Sequence, residues 1–311
     1  KASENVRVDK MSTVMLRHAY LIMAHEYTLV LEYLVQLLDH QNHGIYIHID
    51  QKASALEKKK IKDLQYRVKK SRIYFLSRYK VFWGTNSIVK AQLAMLEQSV
   101  KEAYDYYHFL SGADLPIKCG KTIQAFFEEN NGKEFIHFGT QQYQRDIQQR
   151  FNVYHFFTRQ LGRKRDKRFW VYAETYALAV QRRLHTDRTK KHDYTFYGGS
   201  NWCSITNAFA CYVVKIFPKF RKGFYFSQIS DESVWQTIVM ASPYRQNLYH
   251  DRFDNDCGAC LRYIDWERGN PYVFRREDFE DLMASNCMFA RKFDEKTDLE
   301  IIEQLYHTLK E

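Results

Sequence analysis

The stretch from residue 19 to residue 50, AYLIMAHEYTLVLEYLVQLLDHQNHGIYIHID, contains the first structural unit of the chain. Its two ends, Ala19–His25 and Gly44–Asp50, are short apolar runs of the length that buried strands have. Between them, Tyr27–Asp39 carries apolar residues at the spacing of one helix face. The stretch therefore predicts a strand, a helix and a second strand, which is the repeating unit of α/β domains.

The same alternation continues along the first half of the chain. The further elements that we expect are strands at Arg72–Ser77, Tyr106–Leu110 and Glu134–Phe138, and helices at Ile88–Tyr104 and Thr122–Glu129. This order predicts an α/β domain with a mainly parallel, Rossmann-like sheet flanked by helices. Ligands bind such sheets at the carboxyl ends of the strands, and Asp50 and Asp114 are expected to lie there.

The chain changes character after residue 140. Residues 141–195 hold many Arg, Lys, Gln and aromatic residues without a clear period, so we expect an irregular, partly helical basic insertion over the cleft. The helices predicted after it are Asn207–Phe217, Ser233–Ala241, Asp278–Ser285 and Asp298–Leu309. We interpret the 311 residues as a single domain, in which the halves 12–140 and 196–311 share a cleft.

The charge of the chain points to anionic ligands without choosing among them. The formal net charge of +10 at pH 7 would suit nucleic acid, anionic lipid or a phosphorylated ligand. A nucleic-acid-binding protein would interleave basic and aromatic residues on one sheet face. The basic residues instead crowd residues 145–191 and 219–222, away from the predicted strands. A peripheral membrane adaptor that uses this tract on anionic lipid is a further alternative.

The cysteines and the start of the chain bear on the compartment. Six scattered cysteines in a chain of this size are typical of a reducing compartment. Cys257 and Cys260 form one CxxC pair, but a zinc site needs four ligands. No apolar run reaches the roughly 18 residues of a membrane span, and the polar start Lys1–Lys10 does not resemble a signal peptide. We therefore expect a cytoplasmic protein.

Two adjacent carboxylates, Asp231 and Glu232, lie at a predicted helix start. The helix dipole lowers the pKa of carboxylates there, so one of them could stay ionised and take a proton from an attacking hydroxyl. Acidic residues also favour first turns for stability alone, and the pattern does not separate the two interpretations.

Two other short segments carry candidate binding residues. Phe289–Asp294 places Arg291 and Lys292 between aromatic residues, where fixed cations could stabilise a departing diphosphate or could form a snorkelling surface pair. In Gly198–Trp202, glycine allows the backbone to approach a ligand and the Trp202 ring suits a sugar face. The alternative there is a tight turn followed by a core tryptophan.

The acidic and histidine motifs give little support for a metal site. Asp254-Asn255-Asp256 matches the Asp-x-Asp string of metal-dependent nucleotide-sugar enzymes, but it follows a polar stretch and is interpreted as a loop. His25 and His48 flank the sheet as strand-end or core residues rather than metal ligands. Asp50 could accept hydrogen bonds from a uracil or ribose, or be a strand-end or helix-cap residue. The usual phosphate-loop, serine-hydrolase, zinc-protease and kinase signatures do not occur.

Seven segments in a fixed order carry a resemblance to a known family: AYLIMAHE, IYIHIDQKA, FWGTNSIVKAQLAML, YYHFLSGADLPIK, GGSNWCSIT, SDESVWQTI and FARKFD. Together they resemble the core-2/I-branching β-1,6-N-acetylglucosaminyltransferase and peptide O-xylosyltransferase family, in a short bacterial-type form similar to glycosyltransferase family 14. The resemblance implies a nucleotide-sugar transferase fold of the GT-A type, an inverting reaction and independence of metal ions. It also makes residues 12–140 the nucleotide-binding half and residues 196–311 the acceptor and catalytic half.

The resemblance implies roles for individual residues. It places the catalytic base on Glu232, the uridine-contacting carboxylate on Asp50 and the diphosphate-binding amine on Lys292. A second diphosphate cation falls near Arg268, the aligned position itself being Gly269. The other residues assigned with them are His25, Asp114 and Arg291 for the donor, and Ser200, Trp202 and Asp231 for the acceptor.

The resemblance also implies the partners. We expect a UDP-sugar donor, foremost UDP-N-acetylglucosamine or UDP-xylose, and a glycan or lipid-linked glycan acceptor in polysaccharide or glycoconjugate assembly. No cofactor, metal ion or nucleic acid is expected. Contact with the inner face of the cytoplasmic membrane is compatible with such an acceptor.

Overall fold

The computed structural model describes residues 15–310 of the chain. The predicted beginning of the first half at residue 12 and the polar start Lys1–Lys10 lie outside the described residues. The strands are β1 His18–Ala24, β2 His43–Ile49, β3 Arg72–Leu76, β4 Tyr106–Ser111, β5 Asp114–Pro116, β6 Phe135–Ile136, β7 Cys203–Thr206, β8 Arg262–Ile264 and β9 Phe289–Arg291.

The helices alternate with the strands in the first half, and in the second half they outnumber the short strands β7, β8 and β9. They are α1 Leu29–Leu37, α2 Ala55–Asp63, α3 Ser87–Ser99, α4 Gly120–Glu129, α5 Gln141–Phe151, α6 Thr158–Leu161, α7 Arg168–Arg183, α8 Asn207–Phe224, α9 Val234–Met240, α10 Phe279–Ala284 and α11 Leu299–Leu309. None of the helices within residues 15–310 combines the length and the apolar character needed to cross a bilayer.

The large sheet has the strand order β3-β2-β1-β4-β7-β6. Strands β3, β2, β1 and β4 are parallel, whereas β7 is antiparallel to both of its neighbours. The expectation of an α/β domain with a mainly parallel sheet is therefore confirmed.

Both faces of this sheet are covered, which explains why its strands are continuous apolar runs. Along β1, Tyr20 and Ile22 belong to a core formed with helices α1, α4 and α11, while Ala19 and Leu21 belong to a core with α3, α8 and α9. Because successive side chains of a strand point to opposite faces, each run contributes to both cores. Because β1, β2 and β4 are parallel, their carboxyl ends meet at one edge of the sheet.

Several elements differ from the sequence-based expectation. Asp114, which follows the carboxyl end of β4, begins the unpredicted strand β5, which joins β9 and β8 in a small second sheet. Helix α2 was not predicted, because its sequence is polar and only Ile61 is buried. The strand expected over Glu134–Phe138 is limited to β6 and pairs antiparallel with β7, a strand that the sequence did not reveal.

The segment 141–195, expected to be irregular and partly helical, contains the three helices α5, α6 and α7 joined by irregular stretches. It does lie against both halves: the Arg159 guanidinium is 4.3 Å from the Phe82 ring centroid, and Arg163 donates to the Asn270 carbonyl at 3.1 Å. The segment thus bridges the loop after β3 and the loop after β8.

Candidate active site

The carboxyl edge of the parallel sheet is tied together by backbone hydrogen bonds. The Asp50 amide donates to the Ala24 carbonyl at 2.9 Å, and the Gly112 amide donates to the Met23 carbonyl at 3.0 Å. The residues that follow β1, β2 and β4 therefore lie side by side. This edge holds three of the predicted donor-binding residues: His25, Asp50 and Asp114.

Asp50 organises the loops at this edge. It is 6% exposed, and its Oδ1 accepts hydrogen bonds from the amides of Lys52 at 2.9 Å and Val81 at 3.2 Å. Its Oδ2 lies 3.5 Å from the Lys52 ammonium. His25 is different: its side chain is largely exposed and lies 3.3 Å from Glu26. Asp50 is thus a fixed, buried carboxylate, whereas the His25 side chain faces solvent.

The antiparallel pairing of β5 with β9 brings Arg291 directly opposite Asp114. The Asp114 carboxylate is buried and accepts from the Ser111 amide and hydroxyl, both at 2.8 Å. Arg291 donates to Asp114 at 2.6 Å and also to the Ser111 hydroxyl. One oxygen of Asp114 is thus shared by Ser111 and Arg291, so the structure makes Asp114 a positioning residue for the arginine.

Lys292 and Trp202 complete this corner of the site. The Arg291 guanidinium stacks 4.7 Å from the Trp202 ring centroid, a cation–π arrangement that fixes both side chains. Lys292 is half-buried and follows Arg291 directly. Within residues 15–310, its ammonium makes no hydrogen bond or ion pair. It is therefore a cation whose charge is available to a ligand.

Glu232 lies in a short 3₁₀ turn, Ser230–Glu232, just before α9. Its Oε2 accepts a hydrogen bond from the Tyr143 hydroxyl at 2.7 Å and lies 3.5 Å from the Arg150 guanidinium. The side chain is 37% exposed, so a substrate can reach it. Both partners belong to α5. The sequence analysis did not identify Tyr143 or Arg150, because this helix has an ordinary polar pattern.

Asp231 behaves differently from the expectation that a helix start would lower its pKa. The side chain is buried, one oxygen accepts from the Asn201 amide at 3.1 Å, and the other has no hydrogen-bond partner among the described residues. Burial, and then the neighbouring Glu232 charge, raise the pKa of Asp231 from 3.8 to about 7. The predicted lowering is wrong for this residue, because the turn is buried and too short to have a strong dipole.

The loop Gly198–Trp202 connects the two parts of the site. The Gly199 amide donates to the Glu232 carbonyl at 2.8 Å. A Cβ at Gly199 would lie 2.0 Å from the His137 carbonyl oxygen, so only glycine fits there. The Ser200 amide donates to His137 Nδ1 at 2.9 Å, and the Ser200 carbonyl accepts from Gln236 at 2.7 Å. Ser200 is therefore fixed through its backbone.

The same loop relates the carboxylates to the cations. At one end it is bonded to Glu232 through Gly199, and Asn201 is bonded to Asp231. At the other end Trp202 stacks on Arg291, which precedes Lys292. The loop thus links the backbone of Glu232 and the side chain of Asp231 to Arg291, the neighbour of Lys292 in sequence.

Arg268 is committed to neighbouring carboxylates. Its guanidinium donates to Asp265 at 2.5 Å and to Asp278 at 2.6 Å, and it stacks 4.0 Å from the Tyr272 ring centroid. The Tyr272 carbonyl accepts from the Lys292 amide at 3.4 Å. Arg268 thus supports the chain beside Lys292, while its own charge is already balanced.

The residues 15–310 contain no cluster of three or more His, Cys, Asp or Glu side chains arranged to hold a metal ion. Asp254–Asp256 lies in a loop, where Asp256 accepts from the Gly258 amide at 2.8 Å. Cys257 and Cys260 are unpaired thiols, and burial raises the pKa of Cys257 to about 11. Neither motif belongs to such a cluster among the described residues.

Comparison with known proteins places these features in a family. The family model described as Core-2/I-Branching enzyme matches residues 18–285. The chain is 24% identical to bovine (Bos taurus) xylosyltransferase 2 over 94% of its length, and 24% identical to rat (Rattus norvegicus) xylosyltransferase 1 over 98%. It is 23% identical to human (Homo sapiens) xylosyltransferase 2 over 93%.

These matches cover 33%, 37% and 33% of the relatives, respectively, so the chain spans about a third of the length of the curated relatives it matches. The mixed α/β architecture with its mostly parallel sheet agrees with the GT-A-type fold that the sequence predicted. Since the family model extends over most of the chain, this protein belongs to the Core-2/I-Branching enzyme family.

Proposed function

We propose that the chain is an inverting, metal-independent glycosyltransferase that moves a sugar from a UDP-sugar to an acceptor hydroxyl. The observation that carries the proposal is the Glu232 carboxylate, which is reachable from solvent and held by Tyr143 and Arg150. The backbone of Glu232 is linked through the loop Gly198–Trp202 to Arg291, the neighbour of Lys292. Family membership supports sugar transfer, and the names of the relatives favour xylose as the donor sugar, with N-acetylglucosamine as the second candidate.

The reaction proposed is a single displacement. Glu232 accepts the proton of the acceptor hydroxyl, whose oxygen forms a bond to the anomeric carbon from the face opposite the diphosphate. The bond between that carbon and the diphosphate oxygen breaks, and UDP leaves with the electron pair. The Lys292 ammonium stabilises the charge that develops on the diphosphate. One displacement on one face inverts the configuration.

The remaining residues take supporting roles in this proposal. Asp50, fixed at the carboxyl edge, accepts hydrogen bonds from the uracil or ribose, and the exposed His25 lies beside it. Asp114 holds Arg291 in place, and Trp202 offers its ring to a sugar. The Ser200 loop and the buried Asp231 shape the acceptor side. Arg268 acts on the donor only through the chain segment that carries Lys292.

The acceptor proposed is a glycan or a lipid-linked glycan, with the enzyme in the cytoplasm on the inner face of the membrane. No cofactor or nucleic acid is proposed as a partner. The lack of a metal requirement is proposed because the Lys292 ammonium, carried by the chain that Arg291 fixes, can take the place of a divalent ion at the diphosphate.

The test is release of UDP from UDP-xylose and UDP-N-acetylglucosamine, with glycan acceptors added in turn. Glu232→Gln should reduce turnover by about two orders of magnitude while calorimetric binding of UDP stays nearly unchanged. Glu129→Gln, at an exposed position of α4, is the matched control and should retain full activity. EDTA should have no effect.

Two results would contradict the proposal in different places. Near-normal turnover of Glu232→Gln would remove this residue as the base. A strict requirement for Mn²⁺ would remove the metal-independent mechanism while leaving sugar transfer intact.

A further inference from the structure

Helix α7 carries a stripe of apolar side chains on its solvent-facing side. Phe169, Tyr172, Tyr176 and Leu184 are each 70–73% exposed, and Val180 is 38% exposed. Their spacing of three or four residues aligns them along one side of the helix and just beyond its end. A surface helix normally presents polar residues on this side, so the stripe needs an explanation.

The stripe is not the side of α7 that packs against the protein. That side holds Trp170, whose ring lies 5.3 Å from that of Phe157, and Glu174, which accepts from His155 at 2.8 Å. It also holds Gln181, which exchanges hydrogen bonds of 2.7 and 2.9 Å with the Tyr154 backbone. The helix is thus anchored on one side, and its apolar stripe is a second face.

The charges around the stripe favour an anionic partner. Exposed cations precede the helix or lie in its first and last turns: Arg163, Lys164, Arg165, Lys167, Arg168, Arg182 and Arg183. The acidic residues of the same segment are Asp166, which is exposed, and Glu174, which is buried against His155. The surface therefore offers aromatic and aliphatic groups inside a border of positive charge.

We propose that α7 lies in the plane of a bilayer that contains anionic lipids. The 16 residues of the helix extend roughly 24 Å, enough to lie along the headgroup layer. Phe169 and Leu184 would enter the acyl boundary, the phenol groups of Tyr172 and Tyr176 would stay at headgroup depth, and the Arg and Lys side chains would contact lipid phosphates. This combination is typical of interfacial helices.

The combination of an apolar stripe with a border of positive charge favours an anionic bilayer over a protein partner or nucleic acid. A protein interface does not require a border of one sign of charge, and nucleic acid does not require the aliphatic ends of the stripe. The inference stands independently of the proposed sugar transfer, because it rests on α7 and not on the residues around Glu232.

The experiment is flotation of the whole chain with vesicles of phosphatidylcholine alone and of phosphatidylcholine with phosphatidylglycerol. The wild type should float with the anionic vesicles, and added salt should weaken the binding. The triple variant Tyr172→Ser, Tyr176→Ser, Leu184→Ser should bind at least tenfold more weakly. The charge variant Arg182→Glu, Arg183→Glu should lose the preference for anionic lipid.

The matched control is Leu56→Ser with Tyr66→Ser, which removes apolar groups that are 60% and 75% exposed outside α7 and should bind like the wild type. Thermal melting of each variant checks the fold, and UDP release on a soluble acceptor separates lipid binding from catalysis. Unchanged vesicle binding by the triple variant would overturn the proposal. The proposal would also be overturned if neither protein bound vesicles and the wild type formed a dimer that the triple substitution dissociated.

Discussion

Asp231→Asn should make the protein more stable, and the gain should grow with pH. The Asp231 carboxyl is buried beside Glu232, and its pKa is raised from 3.8 to about 7. Below its unfolded pKa the group is protonated in both states. As the pH rises toward 7, the unfolded chain loses the proton first, so folding requires uptake of a proton and stability falls.

The size of the effect follows from the shift. About three pKa units correspond to roughly 4 kcal/mol of stability that is present below the unfolded pKa and lost above pH of about 7. Between about pH 5 and about pH 8, the wild type should therefore lose about 3 kcal/mol through this group alone. The Asn side chain keeps an acceptor for the Asn201 amide and has no charge to bury.

The assay is urea unfolding of both proteins at these two pH values. The difference in the free energy of unfolding, variant minus wild type, should widen by about 3 kcal/mol toward the higher pH. Parallel stabilities of the two proteins at both pH values would refute the reasoning, because they would mean that Asp231 is ionised normally in the folded state.

A second buried carboxyl serves as the matched control for activity. Burial raises the pKa of Glu134 to about 7, and Glu134 accepts from the Thr206 amide and hydroxyl at 2.9 and 2.6 Å. Glu134→Gln should thus share the pH-dependent stabilisation. Only Asp231→Asn should also change the pH dependence of turnover near neutrality, since ionisation of Asp231 places a second negative charge next to Glu232.

Three further substitutions test the supports of the site and of the surrounding fold. Tyr143→Phe removes the hydroxyl that donates to Glu232 at 2.7 Å. Since hydrogen bonds to charged groups contribute about 1.5–3 kcal/mol, turnover should fall roughly tenfold with UDP binding intact. An unchanged rate would contradict this. Arg188→Met leaves the carbonyls at the end of α8 without their buried donor and should lower the free energy of unfolding by about 3–5 kcal/mol in urea titration. Gly199→Ala should reduce turnover at least tenfold, because the added Cβ would clash with the His137 carbonyl. Gly112→Ala is the control and should be tolerated, because its Cβ would make ordinary contacts of 3.7 Å or more. Equal activity of the two variants would argue against a fixed loop.

The parallel strands could be predicted because burial on both faces leaves a strong mark in the sequence. Strands β1 and β2 begin and end within one residue of the apolar runs that predicted them. Strands β5 and β7 have no such mark: each is three or four residues long, and each exists through pairing with a distant segment. Their formation depends on tertiary contacts that no local pattern records.

The candidate site shows the same division. Glu232 and Lys292 could be proposed from motif and resemblance, but Tyr143 and Arg150 belong to a helix whose polar face looks like ordinary solvent-exposed surface. Asp231 was misjudged because two effects oppose each other. A helix dipole contributes about 0.3–1 kcal/mol, whereas burial without a second hydrogen bond contributes several kcal/mol, and burial prevails.

The adjacent cations Arg291 and Lys292, at the end of β9, cannot be equivalent, although the sequence presents them as a pair. Arg291 is bonded to the buried Asp114 and stacked on Trp202, so its charge is largely neutralised and its position is fixed. Lys292 has no such partner among residues 15–310. Breaking a buried ion pair to bind a ligand is unfavourable by several kcal/mol, while an unpaired ammonium gains by binding an anion. A diphosphate should therefore be held by Lys292, and Arg291 should act by fixing the strand and the tryptophan that frame it.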